Sequence, residues 1–174
     1  MMNEVLDKII LDVIKKIESH KGISRFVIER SKFEGWLKVE IIESAIKQNC
    51  LKVTPEKKLI DVTFEHKSKT YALELKTINT NYRYQNIQKK TRPITKNIEG
   101  ILKDVSDLKQ KDYNFKYVLF IVFPLDLNKD KKLWEYHLKK INSLIQLQSF
   151  PINFSGNYKG MLYLGEVKGN LRMV

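Results

Sequence analysis

Hydrophobic residues recur along the chain at spacings that predict groups of helices and strands. Residues 3–20 carry apolar side chains three and four positions apart, which is typical of an amphipathic helix. A second long helix is predicted over 31–48, where Ser31 and Glu34 have the spacing of a capping box. A short turn of helix with Ser24 as its N-cap is expected between these two helices.

The chain then changes to alternation with a period of two, which is typical of strands. We expect a short strand at 51–54 and a turn at 55–57. Two alternating runs follow at 59–65 and 70–77, and the few residues between them suit a tight connection. The two runs therefore predict a β-hairpin.

The second half of the chain predicts a crossover connection. A polar, basic and aromatic segment at 78–93 precedes a helix at 95–109, and the unbroken apolar run at 117–123 is typical of a strand buried on both faces. Strand, helix and buried strand form a βαβ unit, so the buried strand should lie parallel to the second hairpin strand. A helix at 129–147 and a strand at 160–167 complete the elements.

These elements predict an α/β fold with a mixed sheet of about five strands flanked by helices. We expect a single domain over residues 1–174, because this length can bury a substantial core and the chain has no repeat or linker. Within it we distinguish an N-terminal helical region (1–30), a central core (31–125) and a C-terminal helix and strand (126–174).

The hydrophobic pattern also fixes the register of the hairpin, because a shift by one residue would scatter its apolar side chains over both faces. The register that keeps them together pairs His66 with Lys69, Phe64 with Tyr71, Val62 with Leu73, Ile60 with Leu75 and Thr63 with Ala72. In this register Asp61 lies directly across from Glu74 on the polar face. Lys76 follows two residues later on the same face.

Directly opposed like charges destabilise a strand pair, so two facing carboxylates need an explanation. A divalent cation between Asp61 and Glu74 would supply one, since Mg²⁺ takes oxygen ligands and retains several waters. Lys76 could hold or deprotonate a nucleophilic water and neutralise developing negative charge. The alternative is a solvated hairpin face with a Glu74–Lys76 pair, a common arrangement in strands.

Glu40 adds a further acid to this candidate site. It interrupts an apolar stripe of the second long helix, and an acid in such a place is normally paired, here by a metal or by Lys76. Glu43, one turn along, is the second choice for the helical acid. Glu34 is assigned to the helix cap.

The pattern resembles the PD-(D/E)XK nuclease superfamily, which has the restriction-endonuclease-like fold. The family motif is an acid on one strand, Glu/Asp-x-Lys on its hairpin partner and often a further Glu on the preceding helix. Here the matching residues are Asp61, Glu74-Leu75-Lys76 and Glu40. The resemblance covers the central core, which has the αβββαβ element order of the family.

The resemblance implies a function for each matching residue. Asp61, Glu74 and the Leu75 carbonyl would bind Mg²⁺, for which Mn²⁺ could substitute, and Lys76 would position the attacking water. Ile60 stands where the name-giving proline of the motif would be, a frequent departure that leaves the chemistry intact.

The net charge of +12 and the pI near 9.6 favour a polyanionic partner. Only 5 of the 32 basic residues are arginines, and an excess of lysine can equally reflect general composition. The charge therefore supports nucleic-acid binding without establishing it.

The basic, aromatic segment after the hairpin is the candidate DNA-contacting loop. Lysine and arginine neutralise phosphates, and tyrosine stacks on unpaired bases. The candidate DNA-binding residues are Arg83, Tyr84, Lys89, Lys90, Arg92 and, at the start of the next helix, Lys96. An ordinary solvated loop is equally compatible with this composition.

We expect hydrolysis of DNA phosphodiester bonds by a metal-activated water, as in small restriction enzymes or Holliday-junction resolvases. A homodimer would cut both strands without a separate specificity domain. Two alternatives stay open: a non-catalytic DNA-binding module in which 3–77 forms a winged helix, and a nuclease fold that binds a protein partner. No apolar run reaches the ~20 residues of a membrane span, and Cys50 is the only cysteine, so we expect a cytoplasmic protein.

Overall fold

A computed structural model of the chain describes residues 3–89 and 93–169. The elements in these two ranges are α1 (Glu4–Ser19), α2 (Lys21–Ile28), α3 (Glu34–Lys47), β1 (Leu51–Lys57), β2 (Ile60–His66), β3 (Lys69–Asn79), α4 (Ile94–Lys109), β4 (Phe115–Phe123), α5 (Leu127–Asn142), β5 (Leu147–Phe154) and β6 (Tyr158–Glu166).

The strands form one mixed sheet in the order β1-β2-β3-β4-β6-β5. β3 and β4 are parallel, as the crossover pattern predicted, and all other neighbours are antiparallel. The α/β class is confirmed, but the sheet has six strands rather than the predicted five. The missed strand is β5, which lies at a sheet edge. An edge strand tolerates Pro151, which has no N–H to donate.

Helices cover both faces of the sheet. α1, α2 and α3 pack on one face with alternate residues of the central strands, and we call this the first core. α4 and α5 pack on the other face and form the second core. β4 contributes Leu119 and Ile121 to the first core and Val118 and Phe120 to the second, because successive strand residues point to opposite faces. This explains its unbroken apolar run.

The β2–β3 hairpin has the predicted register from Val62–Leu73 to His66–Lys69. The predicted pairing of Ile60 with Leu75 is wrong. The backbone register between the two strands begins only at Val62, and Ile60 is buried in the second core instead of the first. β2 therefore separates from β3 at the position of Asp61.

The capping box predicted at the start of the second long helix is also wrong. α3 begins at Glu34, with Phe33 as its N-cap residue and without a side-chain cap. Instead, contacts with β3 hold this end of the helix. The Phe33 N–H donates to Thr77 Oγ1 at 3.2 Å, and the Glu34 carboxylate accepts from the Thr77 N–H at 3.0 Å.

Three other predicted boundaries differ from the structure. Ser24 lies inside α2 and does not cap it, because that helix already begins at Lys21. The turn predicted at 55–57 is part of β1, and the chain turns one residue later, at Lys58 and Leu59. α5 ends at Asn142, before the predicted boundary at 147. Among the residues that the structure describes, none of the helices has the length and apolarity needed to cross a membrane.

Candidate active site

The candidate site lies at the edge of β3 that β2 leaves open. Two backbone N–H groups of β3 are bound there by carboxylates instead of by a neighbouring strand. Asp61 Oδ2 accepts from the Leu75 N–H at 2.8 Å, and Glu34 Oε1 accepts from the Thr77 N–H at 3.0 Å. Because the N–H and C=O of a strand residue point to the same edge, we expect the Leu75 carbonyl to face this opening as well.

The structure brings the carboxyl groups of Asp61 and Glu74 into contact at this edge. They are joined by a side-chain hydrogen bond, although their backbones are not paired in the ladder. Burial, followed by the negative charge of Asp61 and this hydrogen bond, raises the pKa of Glu74 to about 8. The contact therefore favours the neutral, protonated form of Glu74.

Lys76 lies in the same site and forms an ion pair with Asp104 of α4, with 2.7 Å between Nζ and Oδ2. Burial favours the neutral amine, but the hydrogen bond and charge of Asp104 outweigh it and raise the pKa of Lys76 above its usual value. Lys76 is therefore an ammonium ion. That state suits it for holding a water and neutralising charge, and makes it a poor general base.

α4 is shaped to accommodate the Lys76 side chain. A Cβ atom at Gly100 would lie 2.9 Å from Lys76 Cε, so the glycine leaves the space that the lysine stem fills. The sequence prediction missed Asp104. Its signal was nevertheless present, since Asp104 interrupts the apolar stripe of α4 between Ile101 and Leu108. Burial raises the pKa of Asp104, and Lys76 opposes that effect.

A second lysine, Lys38 of α3, also contacts the acidic pair. Its Nζ lies 2.8 Å from Asp61 Oδ1 and also binds the carboxylate of Glu56 on β1. Burial opposes the charged form, but the two carboxylates raise the pKa of Lys38 above its usual value. An ammonium ion therefore occupies one side of Asp61.

Glu40 does not join this site, contrary to the prediction. Its carboxylate lies 2.6 Å from the Nζ of Lys16 on α1, and Glu43 binds the same ammonium at 2.9 Å. The prediction that Glu40 needs a partner was sound, but the face of α3 that carries it is turned toward α1. The acid of α3 that reaches β3 is Glu34, which the sequence reading had assigned to a cap.

The oxygen donors at the open edge are of the type that Mg²⁺ and Mn²⁺ accept. Residues 3–89 and 93–169 contain no group of three or more histidine, cysteine, aspartate or glutamate side chains arranged to hold a metal. The possible ligand set is therefore smaller: Asp61, Glu74 and the Leu75 carbonyl. Because so few ligands come from the protein, this set suits a cation that keeps several waters in its coordination shell. A cation bound between the two acids would relieve the repulsion that contributes to the raised pKa of Glu74.

The candidate DNA-contacting loop is held in place by residues that the prediction did not use. Arg30 is 3% exposed and donates to the backbone carbonyls of Thr80, Tyr82 and Gln88. A buried arginine thus fixes the path of the loop in three places. Nothing in the sequence around Arg30 distinguished it from a surface residue.

The predicted DNA-binding residues differ in their environments. Arg83, Lys89 and Lys96 are exposed. Tyr84 is half-buried, its hydroxyl donates to the Asp130 carboxylate, and it accepts from the Asp126 N–H at 2.7 Å. Tyr84 therefore ties the loop to the start of α5. Two further predicted residues, Lys90 and Arg92, lie outside the described residues.

Comparison with known proteins identifies no relative: no protein-family model, no curated protein and no solved structure matches the chain.

Proposed function

We propose that the protein is a divalent-metal-dependent DNA endonuclease with its active site at the open edge of β3. The observation that carries this proposal is the contact between the Asp61 and Glu74 carboxyl groups beside the Lys76 ammonium ion. Placing two partly buried acids against each other destabilises a fold. A cation that binds between the two carboxyl groups would remove their repulsion, and this gain in free energy would strengthen its binding.

Each residue of the site has a distinct part in the proposed reaction. Asp61, Glu74 and the Leu75 carbonyl would hold Mg²⁺ or Mn²⁺, which when bound supplies an activated water and a Lewis acid for phosphodiester hydrolysis. Lys76 holds the attacking water and stabilises the charge that develops on the phosphate. Asp104 keeps the Lys76 ammonium in place through their 2.7 Å ion pair.

The order and direction of the elements support a restriction-endonuclease-like interpretation. α3, β1, β2, β3, α4 and β4 follow one another as αβββαβ, and β4 lies parallel to β3. Asp61 lies on β2, and Glu74 and Lys76 lie on the neighbouring strand β3, which is the arrangement that the resemblance implies. In this chain Glu34 takes the place that the resemblance suggested for Glu40.

The winged-helix alternative has less support. A wing is a hairpin at the margin of its domain, whereas β2 and β3 are interior strands of the six-stranded sheet. The helix that would read a DNA groove is α3, and its residues Leu37, Ile41 and Ala45 are buried in the first core. The other alternative, a nuclease fold that binds a protein partner, predicts no DNA cleavage, so the cleavage experiment below distinguishes it from the proposed function.

The test is cleavage of supercoiled plasmid and of duplex, single-stranded and branched DNA with Mg²⁺, with Mn²⁺ and with EDTA. We expect metal-dependent cleavage by the wild type and none by Asp61→Asn or Glu74→Gln. Glu99→Gln is the matched control, because Glu99 is an exposed carboxylate of α4. A wild type that binds DNA without cutting it would support the binding-module alternative. Full activity of Glu74→Gln would remove the proposed site.

A further inference from the structure

The turn between β1 and β2 has a conformation that its residues do not favour. Lys57 pairs with Ile60, so that Lys58 and Leu59 form a two-residue turn, and both have positive φ values of 53° and 65°. Turns of this type strongly prefer asparagine and glycine, because other residues are strained there. We call residues Lys57 to Ile60 the hairpin tip.

Leu59 is the apex of the hairpin tip and is 88% exposed, more than any other large hydrophobic residue that the structure describes. An asparagine or glycine at this position would relieve the strained backbone and also remove an apolar side chain from water. Neither folding nor solubility therefore accounts for a leucine at the apex. A role in binding does account for it.

The hairpin tip is anchored to the body of the protein on both sides. Ile60 is completely buried in the second core, and Lys111 Nζ donates to the Lys58 carbonyl at 3.3 Å. On the β1 side, Glu56 binds Lys38, which also binds Asp61. Leu59 is thus presented on a fixed support only two residues from the candidate active site.

The surroundings of Leu59 are positively charged. Lys57 and Lys58 flank it and are exposed, and Lys111 lies against the Lys58 carbonyl. The neighbouring acid, Glu56, is neutralised by Lys38. An apolar apex with lysines beside it matches the surface of DNA, where phosphates border a groove that accepts apolar side chains.

We propose that the hairpin tip is a DNA-contacting wedge, in which Leu59 packs into a groove next to the cleavage site and Lys57 and Lys58 contact the flanking phosphates. This inference rests on the proposed function, because DNA is the partner that it assumes. It adds a contact made by a hairpin that is separate in sequence from the candidate DNA-contacting loop.

The test is binding of a short fluorescein-labelled DNA duplex, followed by anisotropy in EDTA, where cleavage cannot occur. Leu59→Ala should weaken binding by about tenfold, because the variant loses the apolar side chain that would be buried against DNA in the complex. Since no charge is lost, the salt dependence of binding should not change. Lys57→Ala/Lys58→Ala should instead reduce the slope of log K against log salt by about 2. Leu51→Ala is the matched control, because Leu51 is a 66% exposed leucine of the same hairpin.

A second variant separates loss of binding from loss of folding. Leu59→Asn suits the positive φ and should melt at the same or a higher temperature than the wild type, yet bind DNA as weakly as Leu59→Ala. Both substitutions leave Asp61 and Glu74 in place.

The outcomes distinguish this inference from the proposed function. If the wild type cleaves DNA and Leu59→Ala binds DNA as tightly as the wild type, the wedge is overturned and the nuclease proposal stands. Weaker binding by Leu59→Ala, in a protein that does not cleave, would support the wedge and reject the nuclease. Sedimentation that shows a wild-type dimer and a Leu59→Ala monomer, with equal DNA affinity, would assign Leu59 to self-association and overturn the wedge.

Discussion

Replacing Glu74 by glutamine should remove a pH dependence of stability that the wild type has in metal-free buffer. The usual pKa of a glutamate is 4.5, and burial together with the charge of Asp61 raises that of Glu74 to about 8. Between these two values the unfolded chain has released this proton while the folded chain retains it. The stability of the wild type therefore falls as the pH rises from about 4.5 to about 8. Glutamine does not titrate, so the variant lacks this loss.

The size of the effect follows from the structure. At about 1.4 kcal/mol for each pKa unit, a pKa change from 4.5 to about 8 sets an upper limit of about 5 kcal/mol. Glu74 is half-buried, so solvent screening reduces the effect to about 2 kcal/mol. For a protein of this size about 2 kcal/mol corresponds to roughly 4–8 °C in melting temperature.

The measurement is urea unfolding in EDTA at pH 5 and pH 8, followed by fluorescence of the fully buried Trp134. We expect Glu74→Gln to be close to the wild type at pH 5 and about 2 kcal/mol more stable at pH 8. Glu99→Gln, which changes an exposed carboxylate of α4, should follow the wild type at both pH values. Parallel pH profiles for the wild type and Glu74→Gln would show that Glu74 is not held protonated by its contact with Asp61.

Three further predictions concern the same site. Asp61→Ala should lower stability by about 1–3 kcal/mol in urea unfolding, because it leaves the Leu75 N–H without its acceptor; equal stability would show that this hydrogen bond is dispensable. Asp104→Asn should slow single-turnover cleavage about tenfold while calorimetric Mn²⁺ binding stays unchanged, since Asp104 acts through Lys76; an equal loss of Mn²⁺ affinity would make Asp104 a ligand. Saturating Mg²⁺, at about 100 times its Kd, should stabilise the wild type by roughly 2.7 kcal/mol and leave Glu74→Gln much less affected; identical stabilisation of both proteins would place the cation elsewhere.

The two acids differ in what their removal should do to stability. From the repulsion between like charges alone, removal of either acid should leave the free energy of unfolding unchanged or raise it. The structure limits that expectation to Glu74. Asp61 also accepts the Leu75 N–H and binds Lys38, so its removal costs contacts as well as relieving repulsion.

The parts of the fold that could be predicted depend on local patterns. Alternation along β2 and β3 fixed their register from Val62 to His66, because a shift would expose apolar side chains. The crossover helix and the apolar run of β4 predicted a parallel neighbour for β3. β5 was missed because Pro151 argues against a strand, unless that strand is already known to lie at an edge.

The parts of the site that could not be predicted depend on contacts between distant segments. Helical spacing shows that Glu34 and Glu40 lie on different faces of α3, but only tertiary packing shows which face meets β3 and which meets α1. Asp104 interrupts an apolar stripe, yet its partner Lys76 is 28 positions away on another element. The sequence predicted that Asp61 lies directly across from Glu74, but β2 leaves β3 at this point and the two residues are not paired in the ladder. The bond from the Leu75 N–H to Asp61 exists only because the strands separate there, so it was not predicted.

The hydrogen bond from the Leu75 N–H to Asp61 also bears on how this protein could change in evolution. A lineage that no longer needed cleavage could replace Glu74 by a neutral residue and gain stability near pH 8, because the charged form of this buried acid is unfavourable there when no cation is bound. Asp61 would persist, since the strand edge needs its oxygen whether or not the protein cuts DNA. An aspartate at position 61 is therefore a poor sign of activity in a related chain. The acid at position 74 is the informative one.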